Sequence, residues 1–339
     1  MDSRDSRDSQ DSQDSQDSAT RPVEALSGSM NEFDLIDRLK PLLPRNDSVV
    51  VGAGDDCAVL AAPPAGQQLL FKTDAVVEGV HFTAETPGEK VGRKALARAV
   101  SDIAAMAGTP TSAVITLGLP PGFQPERVES IYRGMAAFAE HRGIALVGGE
   151  TTRSPGAMFL NVALLGTVPA GRAVLRSGAK VGDAVFVTGE LGGSIEGHHL
   201  DFEPRVVEAR WLAEHFDIHA MMDLSDGLAG DLRHILQASR VPGGEILASA
   251  LPIRPAARLR ARSSDTAKPA VVAALTDGED FELVFTVAPS DAVRLLDGWK
   301  ARFPETRLSC VGKLNERPGL FLREERGLTP LGHGFQHFD

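Results

Sequence analysis

Two periodicities alternate along the chain from Glu32 onward. Glu32–Lys40 sets Phe33, Ile36 and Leu39 at helical spacing, with Leu35 beside them, and Pro41 and Pro44 end that helix. Ser48–Val51 reads as a strand. Gln68–Phe71 reads as another, continued in extended form through Ala75–Phe82. Val91–Gly108 predicts a helix whose apolar stripe is Ala95, Leu96, Ala99, Val100, Ile103 and Ala107. Ala113–Leu119, Ile144–Val147 and Phe159–Thr167 predict strands, and Glu126–His141 an amphipathic helix. Strands and helices that alternate in this way make the fold class α/β, of the mixed α+β kind.

Pro169–Gly182, rich in Gly, Arg and Lys, reads as the crossing into a second domain. Ala184–Thr188 is a strand. After it, Gly189–Ser194 is a glycine-rich turn expected to open a helix and to offer backbone N–H groups to phosphates. That turn lacks both the ending of a Walker loop and the spacing of a dinucleotide fingerprint. Asp223-Leu-Ser-Asp-Gly227 precedes a helix running to about Ser239, and Leu275–Phe285 places four acids ahead of an apolar strand. Before all this, residues 2–18 repeat Asp-Ser-Arg or Asp-Ser-Gln with nothing to bury, which reads as disorder. The organisation is therefore a tail over 1–28, an N-terminal domain over 29–168 and a C-terminal α/β domain over 169–339.

Composition narrows the function. The 339 residues are 42% hydrophobic and 24% charged, ordinary for a soluble globular protein of about two domains. The net charge is −11, of which −4 lies in residues 1–20, so a nucleic-acid partner is not expected. Bound metal ions reverse local sign, so phosphate substrates remain open. The two cysteines, Cys57 and Cys310, form neither a disulfide framework nor a zinc pattern, and a reducing cytoplasm is the simplest compartment. Cys57, among apolar residues, reads as a small core residue. No membrane span or signal peptide is seen.

The candidate chemistry lies in acids that follow glycines or strand ends. Asp55 and Asp56 follow two glycines, an arrangement that suits either a solvated turn or a bound cation. Asp74, Asp102, Glu150, Asp223 and Asp226 extend the same idiom. No His/Cys set accompanies them, and all-oxygen ligands point to Mg²⁺, which shares itself with substrate phosphates. Phosphoryl transfer around several Mg²⁺ ions needs positioning and charge neutralisation more than a catalytic base. Arg176 and Lys180, at the domain junction, are either solvated or hold a polyphosphate.

Seven pieces stand in order: Gly54-Asp55-Asp56, Thr73-Asp74 with Glu78–Phe82, Ser101–Met106, Gly148–Arg153, Arg176-Ser-Gly178, Asp223–Gly227 and Gly278–Leu283. Together they resemble the thiamine-monophosphate kinase family, from about Glu32 to Phe338. The resemblance implies an aminoimidazole ribonucleotide synthetase-like fold whose N-terminal domain forms a β-barrel across a homodimer. It also implies ATP-dependent, in-line phosphorylation of thiamine monophosphate to thiamine diphosphate. By the same resemblance, Asp56, Thr73, Asp74, Asp102, Glu150, Asp223 and Asp226 are metal ligands. Gly149, Glu150, Arg176 and Ser225 contact ATP, and His81, Glu279 and Phe335 contact substrate. Three positions depart from the family pattern: Glu150 stands for Asp, Lys72 for a small hydroxyl residue that ligates metal, and Asp277 for Gly. The rival readings are another ATP-dependent member of the superfamily and a non-catalytic Mg-nucleotide sensor. The reactive N-terminal Cys or selenocysteine of selenophosphate synthetases and the C-terminal Cys of the hydrogenase-maturation relative are both missing from the sequence.

Overall fold

The structure, a computed structural model, describes residues 32–53, 57–264 and 266–331. Asp55, Asp56, Phe335 and the Asp-Ser repeat lie outside the described residues. In chain order the elements begin with α1 (Glu32–Leu39), β1 (Val49–Val51), β2 (Val59–Leu60), β3 (Gln67–Val77), α2 (Gly88–Ala105), β4 (Thr109–Leu119), α3 (Pro125–Arg142), β5 (Ala145–Arg153) and β6 (Phe159–Pro169). There follow β7 (Ala184–Thr188), α4 (His198–Asp201), α5 (Val206–His215), β8 (Ile218–Asp223), α6 (Leu228–Ser239), β9 (Gly243–Leu247), α7 (Pro255–Ala261) and α8 (Ala270–Thr276). The last are β10 (Leu283–Val287), α9 (Ala292–Arg302), β11 (Leu308–Asn315), β12 (Gly319–Glu324) and β13 (Gly327–Pro330).

The first half is a four-stranded sheet in the order β3-β6-β4-β5, parallel only between β4 and β5. Strand side chains alternate between faces, so one register divides them into two sets. Leu70, Lys72, Asp74 and Val76 face α2, along with Leu160, Val162 and Leu164 of β6. The opposite face carries Leu69, Phe71, Thr73 and Ala75, and Phe71 is 75% exposed. Helices α2 and α3 cross almost backbone to backbone. A Cβ added at Gly92 meets the Ile131 carbonyl oxygen at 1.8 Å, and one at Gly134 meets that of Glu89 at 2.0 Å.

The second half is a seven-stranded sheet, β13-β12-β9-β11-β7-β10-β8, parallel only between β9 and β12. Its central strands β7 and β10 are continuous apolar runs because both of their faces are covered. Met222 joins the cluster with α6 and α8, and Met221 joins the one with α5 and α9, where Phe186 stacks on Phe285 at 5.6 Å between centroids.

Among the described residues the four-stranded sheet is open, with β3 and β5 at its edges. Three expectations need correction. Gly148–Arg153, read as a loop, continues strand β5. Cys57 is exposed; among the described residues β1 and β2 pair only with each other, in a ribbon that leaves Val50 and Val59 exposed. The turn after β7 opens only a single 3₁₀ turn, Ser194–Glu196, and the four-residue α4.

The α2–α3 contact yields a stability prediction. Gly92→Ala drives a methyl into the Ile131 backbone, and overpacking of this kind costs about 1–3 kcal/mol or more. The urea midpoint is expected to fall accordingly, with the m-value unchanged.

Candidate functional site

Helix α2 carries Lys94, Arg98, Ser101 and Asp102 at spacings that place them on a single face. The first three reach out of the first half. Lys94 is fully buried; its ammonium donates to the His81 carbonyl at 2.5 Å and to Glu279 Oε2 at 2.8 Å, and lies 2.8 Å from His199 Nδ1. Arg98 lies between Asp74, at 3.3 Å, and Glu279, at 3.2 Å. Ser101 Oγ donates to the buried Asp223 Oδ2 at 2.7 Å. Asp102 pairs with Lys72 Nζ at 3.0 Å, so the Lys72 charge points into the acid cluster.

The second half meets this stripe with two loops bonded to each other. The Glu279 N–H donates to the Ser225 carbonyl, that of Phe281 to Leu224, and that of Leu224 to Glu282, each at 2.8 Å. This pairing holds Glu279 and Phe281 at φ 63° and 50°, strain of order 1 kcal/mol for each non-glycine residue. In return it aims Glu279 at Lys94 and stacks Phe281 on Phe202 at 4.0 Å. Asp223 ends β8, and Asp226 lies between it and α6.

Between the two halves lies a cavity of about 470 Å³. Of the predicted residues, Asp74, Asp102, Asp223, Asp226, Arg176, Ser225, His81 and Glu279 line it, together with Lys72 and Arg98. Thr73, Gly149 and Glu150 do not. Thr73 is on the other face of β3, where its hydroxyl bonds Asn161 Oδ1 at 2.8 Å. Glu150, on the edge strand β5, pairs in register with Thr116 of β4 and is separated from β3 by β6 and β4. The family resemblance implies roles for all three, and strand alternation sets Thr73 on the face opposite Asp74. A second cleft, about 510 Å³ and lined by Arg172, Asp217 and His219, contains none of the predicted residues.

The electrostatics mark the acids as a crowded cluster. Burial and then the Asp102 charge push the Asp223 carboxyl up to about 7. Burial raises Asp102 as well, and Lys72 opposes it. Burial would also raise Glu279, but the His199 ring, Lys94 and Arg98 outweigh it and hold that carboxyl at about 2. His81 is lowered to about 4 by burial and then by Arg98, so its ring is neutral at pH 7. Its Nδ1 accepts the Val77 N–H at 3.1 Å, which assigns the ring proton to Nε2.

The expected phosphate cradle is already spent. The Gly192 N–H donates to Asp280 at 2.9 Å and that of Gly193 to Asp277 at 2.9 Å. Asp277 is further held by Lys268 at 2.7 Å and by Arg260. Sequence reasoning missed Lys94 and Arg98; the signal was two cations four residues apart inside an alanine-rich stripe.

Comparison with known proteins bears on this geometry. Residues 54–168 match the family described as AIR synthase related protein, N-terminal domain. The thiamine-monophosphate kinase of Rhodopirellula baltica is 40% identical over 283 residues, 81% of this chain and 86% of that protein. The crystal structure of the thiamine-monophosphate kinase from Stenotrophomonas maltophilia K279a superposes with a TM-score of 0.73 at 33% identity, covering 86% of this chain and 96% of that one. A structure described as AaThiL complexed with AMPPCP and TMP gives 0.69 at 28% identity, covering 95% and 100%.

The Glu279 pairing predicts a pH-dependent stability. A carboxyl held at about 2 contributes stability above its unfolded value of 4.5, and that contribution is lost as pH falls between the two. Glu279→Gln is expected to cost roughly 2–3 kcal/mol at pH 7, because Lys94 loses its counter-charge in a buried site. The difference from the unmodified protein should shrink as pH falls from 4.5 toward 2 in urea denaturation without added metal.

Proposed function

The chain belongs to the thiamine-monophosphate kinases, and we infer that the cavity between α2 and the Asp223–Asp226 loop is where ATP phosphorylates thiamine monophosphate to thiamine diphosphate. The observation that carries this is the convergence of Asp74, Asp102, Asp223 and Asp226 with Arg98 and Arg176 on one cavity.

The donor set fits magnesium. Its members are carboxylate oxygens from strand β3, the end of β8, the loop after it and helix α2, and burial together with the neighbouring carboxylates raises the carboxyls of Asp102 and Asp223. Asp102, Asp223 and Asp226, with Asp74 beside them, would hold the ions. Bound magnesium there supplies charge neutralisation for the polyphosphate. Arg176 reaches the same cavity from the segment that joins the halves and can pair with phosphate oxygens. The attacking atom is an oxygen of the substrate's own phosphate, already anionic, so direct in-line transfer requires no protein nucleophile or base. Neutral His81 and anionic Glu279 line one wall, a combination suited to a cationic ring system. Ser225 lies between Asp223 and Asp226, placed for a nucleotide contact.

The open face of the first sheet supports a homodimer. Leu69, Phe71 and Val114 expose an apolar patch on a sheet whose other face is packed. A second copy laid on that face would complete the barrel and would bring Thr73 and Glu150 to the joint. In this reading the two units are 29–168 and 169–339.

Purified protein with ATP, thiamine monophosphate and Mg²⁺ is expected to yield thiamine diphosphate and ADP by chromatography. Asp102→Asn and Asp226→Asn should each lower kcat by roughly 100-fold or more. Near-normal rates in both would remove these residues from the metal site. Sedimentation analysis is expected to show a dimer for the unmodified chain and a monomer for Phe71→Asp.

A further inference from the structure

We propose that Asp226, Asp231 and His234 form a separate site for one transition-type divalent ion, of the Mn²⁺ or Zn²⁺ class, behind the nucleotide cavity. Asp231 and His234 are three residues apart on α6, hence on one face of the helix, and Asp226 lies just before its start. A carboxylate oxygen of each Asp and a ring nitrogen of His234 all lie within 4.8 Å of one another. The independent observation is Asp231 itself. It is 0% exposed; its Oδ2 accepts the Asp226 N–H at 3.1 Å, and its Oδ1 has no donor among the described residues.

An orphaned oxygen on a fully buried carboxylate is costly. A cation is what the position lacks. The donor chemistry identifies the class: two carboxylates and an imidazole suit Mn²⁺ or Zn²⁺, whereas Mg²⁺ prefers oxygen alone. Three protein ligands leave positions open for water. Neither Asp231 nor His234 lines the nucleotide cavity, so the site differs from the one inferred above while sharing Asp226 with it.

The test uses the full chain, stripped with chelator and titrated with Mn²⁺ in excess Mg²⁺ without nucleotide. Pulsed electron paramagnetic resonance is expected to show nitrogen coupling from one imidazole on the bound Mn²⁺. His234→Gln, a change at an exposed residue, should abolish that coupling and weaken Mn²⁺ binding roughly tenfold or more. Asp231→Asn should weaken it as well. Absence of nitrogen coupling in the unmodified chain, or Mn²⁺ binding by His234→Gln with unchanged affinity and coupling, overturns the proposal. AMPPCP binding with Mg²⁺ is measured on the same samples. Its loss in the unmodified chain counts against the nucleotide cavity, whereas the nitrogen coupling alone decides the second site.

Discussion

The buried ammonium of Lys94 is the contact on which the rest of the site depends. It sits on α2 in the first half and is bonded to His81 of that half and to His199 and Glu279 of the second. Burying a lysine is expensive, and burial lowers its pKa. The cost is offset because the ammonium donates to a carbonyl and a carboxylate, with His199 Nδ1 beside it. Any shift between the halves would break this set, which spans the junction beside the cavity together with the Arg98–Glu279 and Ser101–Asp223 bonds. The strained Glu279–Phe281 turn belongs to the same arrangement, since its backbone bonds to Leu224 and Ser225 aim the carboxylate at the ammonium.

Around that fixed point the protein manages an excess of negative charge with its own cations. Lys72 lies on Asp102, Arg98 bridges Asp74 and Glu279, and Ser101 donates to Asp223. These contacts let four acids gather before any ion arrives, at the cost of carboxyls whose pKa values are raised. The cavity is thereby pre-shaped, and the acids proposed to hold metal are those the protein can only partly neutralise. Deeper acids follow a different logic: Glu282 is paired with Arg205 and Thr188, and Asp280 is taken up by the Gly192 amide and Arg254. They hold the second half together and do not line the cavity.

Much of this was legible in the chain. The periodicities located most of the main strands and helices, and the recurring acids marked Asp74, Asp102, Asp223 and Asp226. Adjacency in sequence does not decide which side chains share a face. Thr73 and Asp74 are neighbours in sequence, yet they point to opposite faces of β3. Glu150 follows a glycine pair as Asp55 does, yet it rides on an edge strand. The glycines at 192 and 193 have the composition of a phosphate cradle, but Asp280 and Asp277 reach their amides from more than eighty residues away.

The sequence by itself determined the secondary-structure alternation, the oxygen-only donor set and the family to which the chain is similar, because these depend on residue type and local spacing. The tertiary structure decided which acids share a cavity, which amides are already bonded, and that Lys94, Arg98 and Lys72 belong to the site. The physical reason is that a strand places side chains with period two. Which set faces the site is settled only when α2 covers one side of the sheet and the second half closes over its polar stripe.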